Sequence, residues 1–248
     1  MFVFLQAFVV GFSLVFTFPD FPDSDHVMHL HFSFSRTVQA HSLRVPFPVL
    51  WNPHLGAHAV AAEVTLKRTA PGLGWVVPAE TLFSVDLAPG IEGCAAGTLT
   101  LELFDSGVHS APDWTSLHAA YWTRSSLFGR ALAQQMFIAP AYPWNIAEVS
   151  RTLGEDIRTV QMRLFREAYS FTSTLRRCRM LRVLLSTLSK DAPSPKLPAT
   201  ALAGSAQQMD SLFEAVHQTR LSTIERSRLP TAHDIGIKSP VVPGTGFA

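Results

Sequence analysis

One change of character along this chain constrains its fold more than any other feature. Up to about residue 113, short runs of alternating apolar residues are punctuated by proline and glycine. Beyond that point breakers thin out and apolar residues recur at helical spacing. In the front half HLHFSFS (29–35) alternates, AVAAEVTLK (59–67) partly alternates, and WVVP, TLFSVDL and GTLTLELF follow. A period of two marks half-buried strands. Turn signals recur between them at Pro46, Pro48, Pro53, Gly56, Pro71, Gly72, Pro78, Pro89 and Gly90. Such spacing predicts a small β sandwich or barrel. The expected fold class is therefore α+β. A β domain spans 1–113, an all-α domain spans 114–230, and a loose Gly/Pro-rich tail spans 231–248.

Charge divides at the same place. Residues 1–120 hold four Lys/Arg against ten Asp/Glu, a net −6, and residues 121–230 hold fifteen against eight, a net +7. The near-neutral total of +1 conceals an acidic module joined to one suited to a polyanion. With 47 % hydrophobic and 16 % charged residues, the 248-residue chain can bury a core without staples, which excludes disorder throughout. Cys94 and Cys178, its two cysteines, form no disulfide framework or zinc-ribbon spacing, which fits a reducing, cytoplasmic setting. Residues 2–18 carry no charge; a buried strand, a membrane or export segment, and a start upstream of the natural one stay open as readings.

The helical half has a readable grammar. Ser116–Met136 has few breakers and predicts one helix, interrupted by Pro140 and Pro143. Asn145 caps a helix over Ile146–Leu153, and Gly154 ends it. Asp156 caps the next, over Ile157–Ala168. A short helix, a turn containing glycine and a second helix are the helix-turn-helix layout. Val149, Leu153, Val160 and Leu164 are expected to pack the two together, so that Arg158, Gln161 and Met162 project outward. Near the start of a helix lying in the major groove, arginine can bond guanine and glutamine adenine, each through two atoms. A third helix opens at Ser173 or Thr174 and runs to about Leu188. A proline loop over Asp191–Pro198 follows, then shorter helices near Ala199–Gly204 and Met209–Leu221.

At LGEDIRTVQMRLFREAYSF, continuing into RMLRVLL and then ALA…SLFEAV…RLSTIERSR, the chain resembles the AraC/XylS family of bacterial transcription regulators. The resemblance covers roughly residues 130–228 and is sharper in the first unit. It implies two helix-turn-helix units joined by a long helix, behind a cupin-like β domain that senses or dimerises. It implies double-stranded DNA as partner, a small-molecule effector, a homodimer and contact with RNA polymerase. Carried over, the base readers are Arg158, Gln161 and Met162, with Gln208 and Ser211 in the second unit. Arg163, Arg166, Arg179 and Arg182 are implied phosphate contacts. The departures are specific. Asp156 replaces a serine cap, Met162 stands where arginine is common, Ala168 replaces a glycine, and Phe165 is unusually apolar for an outward position. Asp210 and Glu214 add negative charge near the second reading helix.

In the front half, AHSL and PGIEG resemble the cupin metal-ligand segments, but Leu43 and Gly93 stand where two histidines would be. No metal and no other cofactor is therefore expected, despite the cluster of His26, His29, His31, His41, His54 and His58. Nucleophile-elbow, phosphate-loop and dinucleotide fingerprints are missing from the sequence, so no enzyme activity is expected. Two alternatives remain: a metal-dependent cupin enzyme with a helical accessory domain, and a membrane-tethered or degenerate regulator.

Overall fold

In the computed structural model, residues 27–62, 65–69, 72–103, 111–123, 127–189, 202 and 205–229 are described. The apolar 2–18 segment, the Ala199–Gly204 helix (all but Leu202) and the 231–248 tail lie outside them. Among the described residues the front half is eight strands in two antiparallel sheets. One has the order β1 (Val27–Phe34), β8 (Ala95–Glu102), β3 (Val49–Leu55), β6 (Trp75–Val77), and the other β2 (Val38–Arg44), β7 (Leu82–Ala88), β4 (Ala57–Ala62), β5 (Thr65–Thr69).

Alternation drives the packing. Leu30, Phe32 and Phe34 of β1 are buried, while the residues between them are at least partly exposed. Phe83, Val85 and Leu87 of β7 do the same in the second sheet. The sheets meet where Trp51 Nε1 on β3 donates to His58 Nδ1 on β4 at 3.0 Å. His58 Nε2 lies 2.9 Å from the Leu55 carbonyl, and burial lowers the imidazole pKa. This buried histidine is a core member (2 % exposed) rather than an open ligand. Leu43 packs in the core and Gly93 sits in a turn at φ +74°. AVAAEVTLK is not one strand: Ala62 pairs with Thr65, so β4 and β5 form a hairpin within it.

Among the described residues seven helices follow: α1 (Trp114–Trp122), α2 (Phe128–Ile138), α3 (Ile146–Leu153), α4 (Ile157–Arg166), α5 (Phe171–Leu188), α6 (Ala206–His217) and α7 (Leu221–Ser227). The expected Ser116–Met136 helix is thus two, broken after Trp122, where Thr123 is extended at φ −84°, ψ 118°. α4 stops at Arg166 because Ala168 takes φ +60°. α6 begins and ends earlier than expected, at a left-handed Gln218 (φ +53°), and α7 follows. α5 is the axis of the helical region, packing on α2, α7 and β1.

The two halves share one apolar cluster. They are also stitched by backbone. Ser35 N donates to Ser227 O at 2.7 Å and Leu229 N to Ser33 O at 2.8 Å, so the end of α7 adds to the free edge of β1.

Candidate nucleic-acid interface

The α3–α4 unit is set by its caps. Asn145 Oδ1 accepts from Ala147 N at 2.9 Å. Gly154, at φ +73°, makes the left-handed turn that costs other residues strain. Asp156 then accepts from Thr159 N at 2.9 Å and from Thr159 Oγ1 at 2.6 Å. The Thr159 hydroxyl and amide bonds hold the Asp156 carboxyl below its usual range. Val149, Leu153, Val160 and Leu164 are all buried, at 2 % exposure or less. Gly129, at the head of α2, leaves room for the Tyr169 ring, which a Cβ there would strike. The second helix therefore has one buried edge and an open outer face. Arg158, Gln161, Met162, Phe165 and Arg166 are exposed on it.

The other implied phosphate contacts are placed differently. Arg163 Nη1 donates to the Tyr121 carbonyl at 2.5 Å and Nε to Glu167 at 3.2 Å, with the guanidinium 4.8 Å from the Tyr121 ring centroid. It fastens α4 to α1. Arg179 donates from Nε to Pro140 O at 2.9 Å and from Nη2 to Tyr142 O at 3.2 Å, fastening α5 to the loop before α3. Arg182 is 3 % exposed. Its guanidinium lies 5.2 Å from the Phe137 ring centroid and Nη1 is 3.6 Å from Met28 sulfur, while burial pushes its pKa down to about 10. Here the sequence expectation is corrected: Arg182 is inside the protein, and Arg163 and Arg179 are engaged within it. The reason for Arg182 is that α5 is covered on several sides, by α2, α7 and β1. Arg176 on α5 and Phe165 on α4 are exposed at the surface.

In the second unit, Ser205 caps α6 by accepting from Gln208 N at 3.2 Å. Gln208 and Ser211 are exposed. The two acidic residues are engaged: Asp210 accepts from Ser222 N at 3.1 Å and from its hydroxyl at 2.5 Å, and Glu214 pairs with Arg220 at 2.7 Å. His217, buried at the end of α6, donates from Nδ1 to the His41 carbonyl of β2 at 2.9 Å. Burial lowers its pKa.

Between the first unit and the β region lies a charged junction. Arg177 of α5 donates two bonds to Glu80, at 2.7 and 2.9 Å, and Arg44 Nε of β2 is 2.7 Å from the same carboxylate. Arg44 also stands 5.5 Å from the Tyr169 ring centroid. Burial, then the Glu80 charge, pushes the Tyr169 hydroxyl up to about 12. A cavity of about 520 Å³ opens here, lined by Arg44, Phe165, Tyr169, Ser173, Thr174 and Arg177 among others. The Cys178 thiol beneath is pushed up to about 12 by burial and is unreactive.

Elsewhere His31 Nδ1 and His54 Nε2 lie 3.1 and 3.4 Å from the Thr98 hydroxyl. Among the described residues no three His, Cys, Asp or Glu side chains are grouped to hold a metal ion. None of the described helices is long and apolar enough to cross a membrane.

No protein-family model and no curated protein matches this sequence. Solved structures do match. A 1.65 Å structure of ToxT from Vibrio cholerae aligns over 82 % of this chain and 99 % of its own, at a TM-score of 0.50 and 7 % identity. The chain has the fold of ToxT. ToxT is an AraC-family regulator, and its β-then-helical layout is the one seen here. At 7 % identity the likeness to ToxT is one of fold. ToxT with a bound unsaturated fatty acid aligns over 83 % of this chain and 96 % of its own, with a TM-score of 0.48 and 7 % identity. A cupin-superfamily protein from Desulfitobacterium hafniense aligns over 33 % of this chain and 71 % of its own, with a TM-score of 0.28 and 18 % identity.

Proposed function

We propose that this protein is a sequence-specific, double-stranded-DNA-binding transcription regulator that answers to a small effector. The observation that carries the reading is α4. It is held from behind by Val160 and Leu164 and presents Arg158, Gln161 and Met162 to solvent at the start of a helix. Phosphate contact falls to Arg166 and, by exposure, to Arg176. Gln208 and Ser211, exposed on α6, are secondary to these, because Asp210 and Glu214 on the same helix make it a weak reader. The functional division lies near residue 113, with 231–248 as a tail.

The effector site is the cavity beside Arg44, Tyr169 and Arg177. It touches the end of α4, the start of α5 and β2 together, so an occupant there would bias how the reading helix is set. A homodimer, contact with RNA polymerase and a cytoplasmic location complete the proposal, and no catalytic role is assigned. The test is selection of bound sequences from a random duplex pool by the full chain, followed by a salt titration. An enriched site whose affinity falls steeply with salt supports the reading. A pool that never enriches rejects it.

A further inference from the structure

Of the large apolar side chains exposed on α4, Ile157 sits at its first position, and Met162 and Phe165 lie beyond the first turn. Phe165 is 75 % exposed and Met162 44 % exposed. At about 100° per residue, Arg158, Gln161, Met162 and Phe165 fall within an arc of about 100°, opposite buried Val160 and Leu164. The outermost face of the helix therefore alternates hydrogen-bonding and apolar groups. Arg158 and Arg166 lie on or beside this face, and no residue of α4 is acidic. Its surface partner should be anionic at the flanks and apolar in spots at the centre.

A major groove has that character. Phosphates line its edges, and each thymine presents a C5-methyl group that cytosine lacks. We propose that Met162 and Phe165 each cover a thymine methyl, next to a guanine held by Arg158 and an adenine held by Gln161. This rests on the DNA-binding reading above and adds the identity of the bases. The chemistry is burial of apolar surface, so it discriminates modestly: losing one buried methyl corresponds to about a fourfold loss of affinity.

The experiment begins from the site that the full chain selects from a random duplex pool. Each thymine of that site is replaced singly by deoxyuridine, which removes the methyl and keeps the base pairing. The wild-type chain is expected to lose about fourfold at two positions. Phe165→Ser should abolish the sensitivity at one and Met162→Ser at the other, with the guanine and adenine preferences retained. Because both side chains are exposed, thermal melts of the two variants should match the wild type. The deoxyuridine comparison itself needs no variant. A selected site that is indifferent to every such replacement overturns the thymine assignment and leaves the DNA-binding reading standing. So does an unchanged pattern in Phe165→Ser and Met162→Ser. A pool with no enriched site removes both.

Discussion

The two helix-turn-helix regions use their polar residues in opposite ways. In the first, the cap Asp156 bonds Thr159, and Arg158, Gln161 and Arg166 stay at the surface. In the second, Asp210 is tied to Ser222, Glu214 to Arg220, and His217 to β2. The first unit presents a face; the second fastens the helical region onto the β sandwich. Its last residues even add backbone bonds to β1. Under the proposed function, the first unit reads and the second couples it to the front half.

The largest effect expected from this contrast is structural. Val160→Asp places a charge at a fully buried position between α3 and α4. An uncompensated buried charge costs several kcal/mol, enough to unfold the unit. Circular dichroism should show lost helix, and DNA binding should vanish. A variant that melts like the wild type would remove Val160 from the packing role.

Next comes the junction that joins the first unit to the sheets. Glu80→Gln leaves Arg177 and Arg44 without their shared carboxylate. Breaking a fully buried pair costs about 3–5 kcal/mol, and these side chains retain some exposure, so a loss of about 2–3 kcal/mol is expected. Chemical denaturation measures it. A change within error would mean that the apolar cluster and the backbone bonds between β1 and the end of α7 hold the halves together without the junction.

How far such features were visible in the sequence depends on their range. The first unit was legible because its signals are local: Asn145, Gly154 and Asp156 cap and turn within a few residues of the helices they define. The alternation of Leu30, Phe32 and Phe34 gave the strand in the same way. Arg182 was not legible. Its surroundings, Phe137 and Met28, are brought together by α5 crossing behind β1, a contact between residues more than 150 positions apart. Likewise, nothing near Glu80 announces Arg177. The β4–β5 hairpin inside AVAAEVTLK was missed because partial alternation continues through the reversal, and no Gly or Pro marks it.

The third expectation concerns reading itself. If Arg158 holds a guanine through two bonds, Arg158→Ala should cost about 1–3 kcal/mol on the selected site and relax one base position. Binding to single-base site variants measures both. A uniform loss at all positions would reassign Arg158 to the phosphates. Arg182→Met, by contrast, should leave the salt dependence of binding unchanged, since that guanidinium is inside the protein.

A smaller effect should appear with pH, and in the second unit. Burial lowers the pKa of His217 in the folded protein, and its Nε2 has no hydrogen-bond partner among the described residues. The unfolded chain therefore binds a proton more readily near the ordinary value of 6.5, and stability rises with pH there. His217's contribution is complete above about pH 6.5 and is lost as pH falls through its lowered folded value. His54 and His58 act in the same direction from the β sandwich. Hydrogen-exchange protection, corrected for the intrinsic pH dependence of exchange, should fall across α6 and β2 on acidification before it falls across α3 and α4. Simultaneous loosening of both units would show that they unfold as one body.

The smallest effect tests whether the second unit reads at all. Gln208 and Ser211 are exposed, so their loss should leave folding intact. α6 has acidic Asp210 and Glu214 on its length and is anchored at its far end by His217, whereas α4 carries three arginines and no acid. A helix of that charge gains little from a phosphate-lined groove. Gln208→Ala is therefore expected to change affinity by no more than about 0.5 kcal/mol, the scale of an ordinary surface substitution, with no base position relaxed. The measurement is the same panel of site variants used for Arg158→Ala, so the two substitutions are compared on one scale. Equal losses from both would make the units equivalent readers and end the division of labour. A loss confined to Arg158→Ala would fix base recognition in α4 and leave α6 as the arm that couples it to the sheets.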